Sequence, residues 1–526
     1  MTSLRRLRSL LHTHPWRQRL GLLLVGLVFL AGLGLRLIDL TDQPLEFHPD
    51  RQLRGAIIAR GMLYQMQPAS SAPLGFLQAE TWKGAQPLET DPSRHQTAVN
   101  LWHSLEVFEP QVFERVVAVT YLLLGAEVLW VSRLYAILIW LLGGVALYLL
   151  SRRLVSHAGG VLSLAAYLFL PLGVQLSRSF QPEALMVCLV LWAAYAALRW
   201  TEAGSWRWCL LSGLFTGLAV FIKAPAAFVL APMLVLAVLS AWGLRGSLRR
   251  PQVWAAALLA VLVGVGYYLV NRQFSSGGYL GFWSASFRYM IYQPSFYVRW
   301  LSFLDGSVMR YLLFFASLAG LALFEGRGRA LAAGMWVGYG LFGLTVPYLI
   351  STHDYYSALL IPAAALSLAP LAAPLHRVAQ RQPRLWQVLF YGVLIATLAS
   401  AGWNTRSAML SKDFRSEGLG WQAIGRALPT DGQIIGLTHE YGYRLRYYGW
   451  TYVALWPTTV DQALTEARGG NEAAFAEEFA RRTEGYAYFL VTLYGDLNAQ
   501  PQLKDMLYQN YPILADGDGY TLFDLR

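Results

Sequence analysis

The sequence predicts an α-helical polytopic membrane protein of about eleven transmembrane helices, with an extracytoplasmic α/β domain in its last 120 or so residues. Three observations carry that prediction. First, 56% of the 526 residues are hydrophobic and 14% are charged, whereas a soluble globular chain carries about 25% charged residues. Second, apolar runs recur from residue 20 to residue 403, each near the ~20 residues that cross a hydrocarbon core about 30 Å thick. Third, basic residues gather in alternate loops between those runs.

The runs lie near 20–38, 129–150, 159–177, 183–200, 207–222, 225–242, 252–270, 303–324, 330–350, 356–374 and 386–403. The first follows Arg5, Arg6, Arg8, Arg17 and Arg19 and leads into Arg36, Asp39 and Asp42. No small-residue cleavage site follows it, so it reads as an uncleaved anchor. Arg152 and Arg153, Arg199 and Arg207, Arg245, Arg249 and Arg250, Arg327 and Arg329, and Arg377, Arg381 and Arg384 occupy every second loop. Only Glu202 and Glu325 oppose them there. The positive-inside rule then places the N-terminus in the cytoplasm and the C-terminal domain outside the cytoplasmic (inner or plasma) membrane. The net charge of +11 is thus a topology signal and does not call for nucleic acid. The two cysteines, Cys188 and Cys209, lie inside apolar runs, so neither a disulfide framework nor a thiolate metal site can be built from them.

The outer loops differ. The first, about 39–128, is acidic. Within it, 50–64 and 111–124 have helical spacing and read as helices along the membrane surface. The loop 271–302 is rich in aromatic residues, among them Tyr279, Trp283, Phe287 and Trp300, a composition suited to the membrane–water boundary. From about 404 the chain becomes polar. Strand-like runs at 433–438, 487–494 and 520–525 alternate with helix-like stretches at 459–468, 471–482 and 500–510, which describes an α/β domain. No internal repeat is seen, so an inverted-repeat transporter is not suggested.

Five outer segments could carry chemistry. In Glu46-Phe47-His48-Pro49-Asp50-Arg51, Asp50 sits a few residues past a helix exit, where a carboxylate reaches both water and a lipid headgroup; it could also be a solvated loop acid. In Glu106-Val107-Phe108-Glu109-Pro110, the proline stiffens the chain after Glu109, which could equally be a helix-start acid favoured by the dipole. Arg178 and Glu183 lie in the outer turn 177–183, where they are costly unless used or paired, and they could pair with each other. Lys223 lies in an outer turn that the positive-inside rule would keep free of lysine. An anionic partner such as phosphate would explain it, as would snorkelling. His353, Asp354, Tyr355 and Tyr356 offer donors to phosphate oxygens, or form an aromatic belt with a cap at Asp354. The predicted topology puts all five segments on one side, which suits a phosphate leaving group beside a general base.

These segments resemble the GT-C superfamily of membrane glycosyltransferases, and in particular the bacterial relatives of protein O-mannosyltransferases and aminoarabinose transferases. The matching pieces are His48-Pro49-Asp50-Arg51-Gln52 with Ile58-Ala59-Arg60, Glu109-Pro110, Ser177–Glu183, Lys223-Ala224-Pro225 and His353-Asp354-Tyr355-Tyr356. The resemblance covers about 1–403 as a GT-C-like catalytic domain and leaves 404–526 as the extracytoplasmic domain. It implies a polyprenyl-phosphate-linked sugar donor and a glycan, lipid or protein acceptor. It matches Asp50 and Glu109 to catalytic acids. Arg51, Arg178, Glu183, Lys223, His353, Asp354, Tyr355 and Tyr356 fall at substrate or phosphate positions. Many members have Asp-Glu where this chain has Asp50-Arg51. That departure argues against a metal held by paired acids there and leaves open a divalent ion between Asp50 and Glu109. The expected reaction is a single displacement with Asp50 as base. The rival classes are a lipid or glycan transporter or flippase, which would want ionisable groups near the midplane of its helices, and a structural or sensory protein with a ligand-binding outer domain.

Overall fold

A computed structural model describes residues 15–67, 81–270, 276–467 and 475–526. Arg5, Arg6, Arg8, Glu80 and the stretches 271–275 and 471–474 lie outside the described residues, as do the side chains of Arg17 and Tyr279. The chain forms two compact units. Unit 1 comprises 1–40, 107–110 and 132–411, and unit 2 comprises 41–106, 111–131 and 412–526.

Unit 1 is helical. Among the described residues seven helices are long and apolar enough to cross a membrane: Arg19–Leu37, Trp130–Leu154, Glu183–Ala203, Ala226–Leu248, Pro251–Val270, Asp354–Gln380 and Arg384–Leu410. Pro294–Val308 and Tyr311–Leu323 form an eighth apolar segment bent by 105°. The other apolar runs fall on shorter or less apolar helices, His157–Phe169, Trp206–Ile222 and Gly326–Thr345. The chain is a multi-pass membrane protein. Its helices pack through small residues, as expected where lipid removes the hydrophobic drive between them. A methyl group added at Gly338 would come within 2.3 Å of the Phe228 carbonyl oxygen, and one at Gly334 within 2.3 Å of the Met233 Cα. Leu385, Val388, Val393 and Ile395 on Arg384–Leu410 remain exposed, a surface suited to lipid.

The aromatic stretch expected as a loop is mostly helical: Ser276–Ser286, the 3-10 turn Arg288–Tyr292 and Pro294–Phe303. Its rings pack on each other and on the following helices. Trp283 stacks on Phe287 at 5.5 Å and on Tyr348 at 5.4 Å.

Unit 2 is mixed. Its first-loop part holds the helices Pro49–Met66, Pro92–His103 and Val112–Leu124 and a two-stranded antiparallel pair, β1 (Ala85–Pro87) and β2 (Ala126–Val128). Every residue from Gly55 to Tyr64 is buried. This helix is therefore packed on all sides over that run, unlike a helix resting on a membrane, which would show a polar face.

The C-terminal part holds a five-stranded sheet: β3 (Ile434–Leu437), β4 (Ala454–Leu455), β5 (Tyr488–Val491), β6 (Ile513–Gly517) and β7 (Tyr520–Asp524). The order is β4-β3-β5-β7-β6. β3 pairs parallel with β4 and β5, and β7 pairs antiparallel with β5 and β6. β3 and β5 are buried throughout, which is why they read as unbroken apolar runs. Helices Thr459–Glu466, Phe475–Thr483 and Pro501–Asn510 fall where helix-like stretches are predicted, and Phe479, Leu503 and Leu507 seal a core with Leu437, Phe489 and Phe523. Gly519, at φ +80°, supplies the left-handed residue of the tight β6–β7 hairpin.

Candidate functional site

In unit 1 two buried arginines shape the turn 177–183. Arg36, fully buried, donates from Nε to the Ser177 hydroxyl at 2.7 Å and from Nη1 to the Gly32 and Leu168 carbonyls at 2.9 Å. Arg178, also buried, donates from Nη2 to the carbonyls of Ile38 at 2.7 Å and Asp39 at 3.1 Å. Guanidinium bonds to the Ser177 hydroxyl and to main-chain carbonyls tie this turn to the end of the first helix. Glu183, in the same turn, receives the Lys223 ammonium.

Lys223 is the C-cap of helix Trp206–Ile222, in extended conformation. Its ammonium donates to Glu183 Oε1. The side chains are 10% and 1% exposed. The lysine is thus paired and buried rather than snorkelling outward. Its Nζ also lies 5.8 Å from the centre of the Tyr355 ring, a distance at which the ring quadrupole attracts a cation. Tyr355 stacks against Tyr356 at 4.7 Å, and His353 sits 5.6 Å from Tyr355 and 6.1 Å from Tyr356. His353 Nδ1 is 2.8 Å from the Thr352 hydroxyl. Asp354 opens the 3-10 turn Asp354–Leu359. Glu183, Lys223, His353, Tyr355 and Tyr356 therefore form one cluster, a charged pair walled by rings that carry polar tips. Glu109 is half-buried in the same unit. The Tyr268 hydroxyl, in the same unit, donates to the Phe221 carbonyl at 3.1 Å, two residues before Lys223.

In unit 2, Asp50 stands in the first turn of helix Pro49–Met66. Pro49 at the first helical position has the preset φ that this site favours. His48, at φ +44°, turns the chain into the helix through the left-handed region, a costly choice for a non-glycine residue. The Asp50 carboxylate faces the positive end of the helix dipole. It is half-buried and makes no hydrogen bond or ion pair with another described residue. Arg51 follows, also half-buried.

A family model described as dolichyl-phosphate-mannose-protein mannosyltransferase matches residues 109–268. No curated protein matches the chain by sequence. By structure, ArnT from Cupriavidus metallidurans in the apo state aligns at TM-score 0.53 and 14% identity, over 95% of this chain and 97% of that one. The same protein bound to undecaprenyl phosphate aligns at TM-score 0.52 and 14% identity, with the same coverage of both chains. The Archaeoglobus fulgidus oligosaccharyltransferase, solved with zinc and sulfate, aligns at TM-score 0.54 and 11% identity, over 95% of this chain and 73% of that one. This chain has the fold of the GT-C membrane glycosyltransferases.

The chain also holds a site-like network that sequence reasoning did not single out. Arg60 and Glu127 form a second buried ion pair, 4% and 3% exposed. Arg60 Nε reaches both Glu127 oxygens, at 3.0 and 2.9 Å. The Tyr64 and Tyr447 hydroxyls donate to the same carboxylate at 3.2 and 3.4 Å. The Arg60 guanidinium lies 3.9 Å from the Tyr447 ring centre and 4.3 Å from that of Trp450. Burial works against the Arg60 charge, but Glu127 and the two tyrosines more than offset it and raise its pKa. Burial, and then the Glu127 charge, push the Tyr64 hydroxyl well above its ordinary range. Arg60 was visible only as part of a motif, and Glu127 only as one acid among many, because their partner Tyr447 lies more than 300 residues away in sequence.

Among the described residues, no group of three or more His, Cys, Asp or Glu side chains is placed to hold a metal ion.

Proposed function

We propose that the chain is a membrane glycosyltransferase that moves a sugar from a polyprenyl-phosphate carrier to an acceptor at the outer face of the cytoplasmic membrane. Its N-terminus is cytoplasmic and its C-terminal domain is extracytoplasmic. The observation that carries this reading is the cluster around Lys223: a buried ammonium at the end of an apolar helix, held by Glu183 and walled by His353, Tyr355 and Tyr356. An intramembrane ion pair is expensive and marks a pathway or ligand site by default. Proteins sharing the fold support the lipid donor: ArnT has been solved with undecaprenyl phosphate and the archaeal AglB with a dolichol-phosphate.

The reaction is a single displacement. Asp50 takes the proton of an acceptor hydroxyl. The acceptor oxygen forms a bond to the anomeric carbon of the sugar as the bond from that carbon to the phosphate oxygen breaks. The electron pair of the broken bond leaves with the polyprenyl phosphate, which departs as an anion. Lys223, with donors from His353 and Tyr355, stabilises that developing charge. Arg178 acts through the turn it holds, and Arg51, Asp354 and Tyr356 complete the substrate and phosphate contacts. Glu109 is the second catalytic acid of the first loop.

The test is direct. Purified protein in lipid nanodiscs is given a polyprenyl-phosphate sugar or a nucleotide sugar, with a panel of glycan, lipid and peptide acceptors. Label should move only from the lipid donor, and Lys223→Ala should lower the rate. Transfer from the nucleotide sugar alone, or full activity of Lys223→Ala, would remove the reading.

A further inference from the structure

Unit 2 contains a cavity of about 250 Å³. The proposed reaction does not use it. Its lining includes three aromatic residues, Trp450, Tyr64 and Tyr448. Its polar residues are Gln86, Glu89 and Arg94 from the first loop, and Gln422 and Arg426 from helix Glu417–Ala427. The buried Glu127 also lines it.

The aromatic lining is built rigidly. Trp450 stands at φ +56°, a strained conformation for a bulky residue that persists only where the surroundings enforce it. The Arg60 guanidinium packs on its ring at 4.3 Å, and that of Arg94 lies 5.3 Å from the ring centre. Gly425 and Gly449 touch backbone to backbone: a methyl group at Gly425 would come within 2.4 Å of the Gly449 carbonyl oxygen. That contact lets the Trp450 loop lie against the helix that carries Gln422 and Arg426.

The lining identifies the ligand class. Its cations, Arg94 and Arg426, are matched by its acids, Glu89 and Glu127, and Arg94 already faces Glu89 at 3.6 Å. A balanced lining does not select an anion. It offers donors and acceptors, since guanidinium, amide and carboxylate groups all bond hydroxyls. It also offers aromatic rings, on which the apolar C–H face of a sugar ring can rest. The volume is below the ~300 Å³ lower bound for drug-sized ligands, which suits one ring.

Position then says whose ring it is. Asp50 and Tyr64 belong to one helix, fourteen residues apart, or about 21 Å at a helical rise of about 1.5 Å per residue. A ring in this cavity is too far from Asp50 to be the one receiving the new bond. We propose that the cavity binds a neutral sugar ring of a glycan acceptor, several residues from the reacting hydroxyl. The assignment to the acceptor rests on Asp50 being the base, and the sugar binding itself does not.

The experiment is calorimetric titration of the full-length protein with neutral oligosaccharides and with matched oligosaccharides containing a uronic acid. Neutral oligosaccharides should bind. Trp450→Ala should weaken them about tenfold or more, and Gln422→Ala, on an accessible helix face, should weaken them less. Asp50→Asn should bind as the unaltered protein does. No binding of neutral oligosaccharides, a preference for the acidic set, or indifference to both Trp450→Ala and Gln422→Ala would overturn the site. Unfolding of Trp450→Ala leaves the decision to Gln422→Ala and Arg426→Ala. Binding that persists in a protein without transferase activity would uphold the sugar site and overturn its acceptor role.

Discussion

Two buried ion pairs among the described residues are built differently. In unit 2, Arg60 and Glu127 are locked: two tyrosine hydroxyls donate to the carboxylate, and two aromatic rings pack on the guanidinium. In unit 1, Lys223 meets Glu183 beside a single near ring, with His353 and two tyrosines around it. A guanidinium held in a planar fork with its rings in place is pre-organised, whereas an ammonium on a flexible stem can turn its three donors to a new anion. The first pair is built to organise a fold, and in the proposed reaction the second serves a ligand.

The comparison can be broken in order of expected effect. Glu127→Ala leaves the Arg60 charge buried and unpaired, which typically costs about 3–5 kcal/mol. Thermal unfolding followed by size-exclusion should show a large loss. Unchanged stability would mean that the network organises nothing. Replacing both Lys223 and Glu183 by Met removes two charges together, which is often neutral or stabilising. That double variant should remain folded yet lose about 10²–10³-fold in transfer rate, as when a charge-stabilising donor is deleted. A folded and fully active double variant would reassign the pair to structure.

A pH effect is expected in unit 2. His439 is held below its ordinary pKa by burial, against the opposing pull of Glu440, and its Nδ1 lies 3.1 Å from the Thr492 hydroxyl. The folded state therefore binds its proton less readily than the unfolded state. Stability from this group is present above the unfolded value of about 6.5 and falls as pH drops below it. His439→Gln should flatten that part of the stability–pH curve, and an unaltered curve would exclude the residue as its source. The smallest effect belongs to Thr458, which closes a capping box with Asp461 on helix Thr459–Glu466. Thr458→Ala should cost about 1 kcal/mol, read from the unfolding midpoint.

The helices of unit 1 were legible because lipid demands long apolar runs, and β3, β5 and β7 because buried strands are apolar and β-branched or aromatic. β6 was not legible. Four of its five residues are exposed, and Ile513-Leu514-Ala515-Asp516-Gly517 reads as the approach to a turn. β4 has two residues, too few for any periodicity. Of the site, Lys223 stood out because it breaks the charge rule of its side, and Asp50 because of its place past a helix exit. The pairing of Lys223 with Glu183 was not readable, since forty residues separate them. The cavity beside Trp450 was invisible for the same reason: it joins residues 64–127 to residues 422–450.

The central claim is that a half-buried carboxylate with no partner among the described residues, Asp50, is the base for transfer from a polyprenyl-phosphate sugar. The most direct measurement is the single-turnover transfer rate of Asp50→Asn beside the unaltered protein, with thermal unfolding measured on both. The account predicts equal unfolding and a rate lowered by about 10²–10⁴-fold. An equal rate in a folded Asp50→Asn protein would contradict it.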